Sequence, residues 1–422
     1  MSASLANVSA TQPTTGCGPL LTGAREGGQT LRQNAFEYVR AQGQATRTDI
    51  TQALGISAGS ATTLTADLIT AGFLKEVQSP QKESSRGRPR VALTVVPDAG
   101  YVIGIKLAFK RHIAVMIDFS GNLIAQADLP SGDVRRPVEQ LMDEAEALIH
   151  KLLAASGKSQ TDICTVGIGL PGIIDHRSGV VVWSAMITTR DANLADLFAE
   201  RFTMPVVLDN DANMLTLAEL WFGQGRSMSS FAVVTIESGV GMGLVLDNQL
   251  YRGANGLGLE LGHTKVQLDG ALCRCGQRGC LEAYLADYAL SREASTALDH
   301  ASPTPRAPEH TLEALFQQAK AGHTAAETIF RRAGRYLSLG LSNVVQLFDP
   351  ALIILSGERM QYDYLYAETV MDEMHKLTLN EGRKPCKIAI HAWGDLVWAR
   401  GAAALALSHI TTRMIAGEAR AA

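Results

Sequence analysis

The segment from Gly258 to Cys280, GLELGHTKVQLDGALCRCGQRGC, constrains the fold more tightly than any other stretch of the chain. Cys273, Cys275 and Cys280 fall within eight residues, and His263 precedes the first of them by ten. One imidazole and three thiolates suit a tetrahedral zinc ion, and Gly276 and Gly279 let the backbone turn sharply enough for three sulfurs to converge. Four protein ligands leave no position for water. The spacing therefore predicts a closed, structural zinc site with one Zn2+ per chain, held by His263, Cys273, Cys275 and Cys280, rather than a catalytic metal. The competing reading is three buried thiols beside an unrelated histidine. Cys17, Cys164 and Cys386 are scattered elsewhere, which argues against a secreted disulfide framework and for a reducing cytoplasm.

At 422 residues the chain is too long for one ordinary domain. Hydrophobic residues at 46% can build cores, and 19% charged residues exclude wholesale disorder. A formal net charge of −4 draws neither nucleic acid nor membrane globally, so any such attraction must be local. No apolar run approaches the roughly 18 residues of a membrane span, and no secretory signal pattern opens the sequence. A cytoplasmic protein without a membrane partner is expected.

Residues 1–28 are rich in Ser, Thr, Ala and Gly without periodicity, which predicts a flexible tail. Residues 29–97 read as a winged helix-turn-helix. A first helix carries Leu31, Phe36 and Val39 on one side and stops at Gly43. Thr48 is placed to cap a second helix with Ile50 and Leu54 inward, Gly55 makes the turn, and Ser57 caps a third helix that buries Ala61, Leu64 and Leu68. FLKEV and RVALTVV then read as two strands around the polar hairpin QSPQKESSRGRP. Between Lys75 and Arg90 five basic residues face two acidic ones, so positive charge gathers on the wing. The expected DNA contacts are Ala58, Gly59, Ser60, Thr62 and Thr63 on the third helix and Arg86 and Arg88 on the wing.

Residues 98–422 alternate strands and helices, an α/β pattern suited to two lobes. YVIGIKLAFKRHIAVMIDFSGNLIAQADL reads as three strands and PVEQLMDEAEALIHKLLAAS as an amphipathic helix. ICTVGIGLPGIID and PVVLDNDAN read as buried strands ending in loops. SSFAVVTIESGVGMGLVLDNQLYRG repeats the strand, Gly-turn, strand theme, and ALIILSG and LVWARGAAALALSHI follow as strand and helix.

LELGHTKV and CRCGQRGCLEAY together resemble the signature of the ROK family, which contains bacterial sugar kinases and sugar-responsive repressors. Glu260, Gly262, His263, the Cys-x-Cys-Gly-x-x-Gly-Cys core and Glu282 all fall where that family has them. The resemblance runs from about Tyr101 to the C-terminus, and the winged helix in front is what the repressor branch carries. It implies a two-lobed, actin-like, sugar-kinase-like (ribonuclease H-like) fold behind the DNA-binding head. It also implies that Asn210, Asp211, Glu260, His263 and Glu282 hold a sugar, His263 binding zinc through one ring nitrogen and facing the sugar with the other. Carboxylates and amides suit such a ligand, because paired hydrogen bonds satisfy adjacent hydroxyls. Pro171 and Gly172 are expected to shape the pocket wall.

Kinases of the family open their first lobe with a DxGGTK phosphate loop. Here the equivalent stretch is GIKLAFKRH, with Lys106 in the acid's place, Ala108 and Phe109 for the glycines and Lys110 for Thr. The second glycine turn keeps Gly239, Gly241 and Gly243 but carries Glu237, and the adenosine-side pair becomes Ser356, Gly357, Glu358. Asp211 holds the position of the kinase base. These departures point to a non-enzymatic, sugar-responsive repressor that binds operator DNA as a homodimer or homotetramer. The alternative is an active ATP-dependent sugar kinase fused to a DNA-binding head.

Overall fold

The structure is a computed structural model that describes residues 16–20, 29–78, 91–132, 134–254, 256–297, 308–357, 360, 368–379, 381–382, 384–391, 394 and 396–415. Its contacts divide the chain into two compact units. One gathers Ser9–Ser229, Asn255–Leu257 and Gly394–Ala422, and the other Ser230–Ala254 and Gly258–Trp393.

The first unit opens with α1 (Leu31–Gln42), α2 (Arg47–Leu54), α3 (Ala58–Thr70), β1 (Leu74–Gln78) and β2 (Val91–Val95). β1 and β2 pair antiparallel from Leu74↔Val95 to Gln78↔Val91, so the order is that of a winged helix. Thr30 caps α1 and Ser57 caps α3. The cap of α2 is Thr46, not Thr48, because Asp49 closes a capping box with it; Thr46 and Asp49 satisfy each other's backbone N–H groups. Gly55 ends α2 in the left-handed region with φ 64°. Phe36, Val39, Ile50, Leu54, Ala61 and Leu68 are buried as expected. Leu31 is exposed, and Leu64 is only half-buried while Thr65 takes the buried place, its hydroxyl satisfied by the Ala61 carbonyl at 2.8 Å. Arg86 and Arg88 lie outside the described residues.

Next come β3 (Tyr101–Lys106), β4 (Arg111–Asp118), β5 (Leu123–Pro130), α4 (Val138–Ser156), β6 (Ile163–Leu170), β7 (Ile173–Asp175), β8 (Val180–Trp183), β9 (Ala192–Asn193), α5 (Leu194–Ala199), β10 (Val206–Asn210) and α6 (Asp211–Phe222). The main sheet has the order β10-β6-β3-β4-β5, antiparallel on the β4–β5 side and parallel on the β6–β10 side.

In the second unit β11 (Phe231–Ile236), β12 (Val240–Leu246) and β13 (Gln249–Tyr251) precede α7 (Glu282–Leu285), α8 (Asp287–Ala297), α9 (Pro308–Lys320) and α10 (Thr324–Phe348). β14 (Leu352–Ser356), α11 (Glu368–Leu377) and β15 (Lys387–His391) follow. Its sheet, β13-β12-β11-β14-β15, repeats the connectivity of the first: two consecutive hairpins, then two parallel strands added on the other side of the first strand. Ile329, Phe330, Ala333, Leu337, Leu341 and Val344 form the inward stripe of α10, at the three- and four-residue spacing of a helix face.

The last helix, α12 (Leu396–Ile415), returns to the first unit. It is buried on nearly every side, which explains its run of alanines. A Cβ at Gly104 of β3 would stand 2.1 Å from the Ala399 carbonyl oxygen, so only glycine lets helix and sheet approach this closely.

The same helix holds the winged-helix head. Arg40 of α1 donates to the Thr411 hydroxyl at 2.7 Å, and its guanidinium lies over the rings of Phe36 and Trp221. Phe36, Phe73 and Phe119 pack ring against ring. Gly16–Leu20, composed like a flexible tail, is instead fastened: Cys17 N donates to Arg40 O, Gly18 N to Trp221 O and Leu20 N to Arg226 O. Cys17 is buried, and its thiol donates to the Ser120 carbonyl. Backbone pairing, which composition does not report, holds this short stretch in place. The rest of the expected tail, 1–15 and 21–28, lies outside the described residues.

Candidate ligand and metal centre

The chain leaves β13, passes Leu259 in a left-handed conformation (φ 71°) and makes a single 3-10 turn, Leu261–His263. A side chain other than glycine in that region is strained, and such strain concentrates at ligand sites. Two short bridges, Lys265↔Cys280 and Leu272↔Arg278, then fold the segment back on itself. Gly276 N donates to Cys273 O, and Cys273 N to Gln277 O. Gly279 has φ 75°, and a Cβ there would meet the Gln267 carbonyl oxygen at 1.7 Å. The tight double turn anticipated from the glycines is present.

The ligand atoms of His263, Cys273, Cys275 and Cys280 lie within 4.8 Å of one another. Bonds of about 2.3 Å to a tetrahedral zinc imply sulfur–sulfur edges of about 3.8 Å. Cys275 Sγ and Cys280 Sγ are 3.7 Å apart, and Cys273 Sγ is 3.7 Å from His263 Nδ1. All four cysteine and histidine groups fit a metal ion, and none of the cysteines is in a disulfide. Burial pushes the Cys273 thiol above its ordinary pKa, so without metal it stays protonated; a cation would draw the proton off. Because Nδ1 faces the sulfurs, Nε2 lies on the other side of the ring.

Glu282 starts α7 beside this cluster. Its Oε1 accepts from Cys273 Sγ at 3.6 Å, and its Oε2 accepts from Val240 N at 3.4 Å, which ties it to the glycine turn before β12. The Tyr288 hydroxyl is 3.4 Å from Glu282 Oε1 and 3.5 Å from Cys273 Sγ. Burial raises the Tyr288 pKa, so the phenol remains a donor. Glu260 is exposed immediately before the 3-10 turn. Tyr288 and Lys265 were missed in the sequence: Lys265 reaches a sulfur because the hairpin folds back on itself, and Tyr288 because α8 packs beside Cys273.

Asn210 and Asp211 belong to the first unit, where β10 ends and α6 begins. Asn210 caps α6, its Oδ1 accepting from Asn213 N at 2.8 Å, so it serves a ligand as a donor through Nδ2. Asp209, behind it, accepts from Asn210 N and Asn213 Nδ2. Burial raises the Asp211 carboxyl, and the positive charge of Lys106 partly opposes this. Lys106 itself lies with Nζ 3.6 Å from the centre of the Trp398 ring. Ser184 donates to the Pro171 carbonyl at 2.6 Å, and Gly172 (φ 140°) packs against the Trp183 carbonyl, so the Pro171–Gly172 turn is tied to the end of β8 and the residues that follow it.

The stretch in the place of the phosphate loop spends its backbone donors internally. Leu107 N donates to Gly169 O, Ala108 N to His112 Nδ1 at 3.1 Å and Arg111 N to Phe109 O. Phe109 packs on the core, and Lys110 takes φ 69°. His112 is fully buried, its Nε2 2.8 Å from Glu144, which also receives Arg136. Glu358 lies outside the described residues.

On the exposed side of α3, Ser57 Oγ and Ser60 Oγ meet at 2.9 Å, while Thr62 and Thr63 donate to the Ala58 and Gly59 carbonyls. All five expected contact residues are exposed.

A winged helix packed on an α/β unit, a second unit of the same sheet connectivity and a four-ligand Cys3His cluster define a two-lobed, actin-like protein with a winged-helix head. The model of the ROK family matches residues 102–409, and the chain belongs to that family. It is 27% identical over 369 residues to the xylose repressor of Caldicellulosiruptor bescii, covering 86% of this chain and 91% of that one. A ROK family transcriptional regulator described as a homolog of the E. coli MLC protein superposes with a TM-score of 0.75 at 22% identity, covering 92% of this chain and 97% of that chain. The ROK hexokinase of Thermus thermophilus superposes with a TM-score of 0.62 at 29% identity, covering 74% of this chain and 99% of the hexokinase.

Proposed function

We propose that this protein is a sugar-responsive transcriptional repressor whose winged helix binds operator DNA. The observation that carries the reading is the head itself. The three helices and paired strands of a winged helix are locked to an α/β unit of the ROK region through α1, the Gly16–Leu20 stretch and α12, so a change in that unit reaches the DNA-binding surface. The likeness to a xylose repressor over most of both chains supports it.

In this reading residues 29–97 form the head and 98–422 the ROK region. The N-terminal half of α3, with Ala58, Gly59, Ser60, Thr62 and Thr63, enters the major groove, and Arg86 and Arg88 of the wing reach the minor groove. Asn210, Asp211, Glu260, His263 and Glu282 recognise sugar hydroxyls. His263, Cys273, Cys275 and Cys280 hold one structural Zn2+, which fixes the turn bearing Glu260 and His263. In this reading the protein acts in the cytoplasm as a homodimer or homotetramer, which presents paired winged helices to the operator. Among the described residues no helix is long and apolar enough to cross a membrane.

The chain is not a kinase in this account. Lys106 puts a cation near Asp211 where metal-bound phosphate would need an acid, and the loop's N–H groups at Leu107, Ala108 and Arg111 are already engaged. A thermal-shift screen of the full protein against D-xylose, D-glucose, N-acetyl-D-glucosamine and their phosphates should give at least one hit. That hit should change gel-shift affinity for DNA selected from a random library. ATP turnover with any of these sugars would overturn the non-enzymatic reading. DNA binding that no sugar alters would overturn the sensing reading.

A further inference from the structure

Lys265 stands two residues after His263, on the strand-like stretch that bridges to Cys280. Its Nζ is 2.9 Å from Cys280 Sγ and 2.6 Å from Gln277 Oε1. An ammonium at that distance from sulfur is a charge-assisted hydrogen bond, and Gln277 holds the ammonium in place.

Charge explains what such a bond does. Three thiolates and one neutral imidazole around Zn2+ leave a net charge of −1 on the site. Glu282 adds a carboxylate 3.6 Å from Cys273 Sγ. Two negative groups thus crowd one side of a short hairpin. Among the described residues Lys265 is the cation bonded to one of these sulfurs; Arg274 lies over the Tyr288 ring and Arg278 donates to the Gly270 carbonyl. Outer groups that bond to a metal's ligands tune affinity, and their loss weakens binding by about 10- to 100-fold.

We propose that Lys265 is a positioning residue of the metal centre, an internal counter-ion that neutralises the Zn–Cys3His site through Cys280 and so keeps the ion bound beside Glu282. The inference rests on reading the four-ligand cluster as a zinc site. Lys265 touches the sulfur and not the metal, so it acts through Cys280 alone. It draws electron density from that thiolate, which lowers its nucleophilicity and shields it from electrophiles. The four ligands without Lys265 would still assemble, but with uncompensated charge.

The experiment uses the full chain, first metal-analysed as purified, then titrated with zinc against a chromophoric chelator. A parallel sample is loaded with Co2+ to record its sulfur-to-cobalt charge-transfer band. Lys265→Met should weaken zinc about 10-fold or more, shift that band to lower energy and speed zinc loss to a thiol-alkylating reagent. Lys265→Arg should restore all three. Gln277→Ala removes the other bond of the ammonium while keeping its charge, so its effect should be clearly smaller. A wild-type protein that takes up no metal defeats the zinc reading itself. A metal-loaded wild type whose affinity and cobalt band are unchanged in Lys265→Met defeats the role of Lys265. Equal losses in Lys265→Met and Gln277→Ala also defeat it, because the bond to Gln277 would then carry the effect.

Discussion

Lys106 lies 3.6 Å above the centre of the Trp398 ring, at the end of the strand where phosphate-binding relatives are expected to carry an acid. Its charge pulls the Asp211 carboxyl down against the burial that pushes it up. Trp398 belongs to the last helix, so the two residues meet only because α12 lies along the first sheet.

This pair gives a pH dependence with a defined sign. The Asp211 pKa is raised in the folded state, so folding favours its protonated form. The stability it contributes is complete below the unfolded carboxyl range and is lost as pH rises through the folded value. Asp211→Asn should therefore gain stability relative to wild type at neutral pH and converge with it in acid. Lys106→Met should lose stability at neutral pH, since Asp211 then titrates higher still. Urea midpoints across the acid-to-neutral range check both.

His112 has the opposite sign. Burial lowers its pKa below the ordinary 6.5, outweighing the raising effect of Glu144. A neutral ring accepts from Ala108 N through Nδ1 and donates to Glu144 through Nε2. Stability is therefore present above the unfolded value and lost as pH falls through the folded one. His112→Gln should flatten this acid-side loss in the same denaturation series, at a cost of about 1–3 kcal/mol near neutrality for disturbed buried hydrogen bonds.

Gly279→Ala tests the hairpin. A left-handed φ of 75° and a Cβ 1.7 Å from the Gln267 oxygen cannot both be relieved without moving Cys280. Strain of about 1–3 kcal/mol is expected, with a fall in zinc content by metal analysis. Gly276→Ala has nothing within 4 Å of its Cβ, so it should suffer the backbone penalty alone and keep more metal.

Arg226 tests the attachment of the head. It donates from Nε to Gly18 O at 2.9 Å and from Nη2 to Ala41 O at 2.5 Å, joining the N-terminal stretch to the end of α1. Arg226→Ala leaves two buried carbonyls unpaired, at about 1–3 kcal/mol each. Cys17 should then react with a maleimide several-fold faster, as read by peptide mass spectrometry.

Local chemistry made much of this protein legible in one dimension. The winged helix follows from periodicity and turn residues between 29 and 97, because Gly55 and Ser57 act on their neighbours alone. The Cys3His cluster follows from spacing, since its ligands lie in one short hairpin. The cap at Thr46 and the exposure of Leu31 depended on which of several adjacent hydroxyls and apolar residues the surroundings favoured. Long-range packing decided the rest. That Gly16–Leu20 is fastened, that Lys106 meets Trp398 and that Lys265 reaches Cys280 follow from contacts whose partners carry no mark of each other in the sequence. Such contacts exist only after burial has brought distant or back-folded segments within hydrogen-bond range.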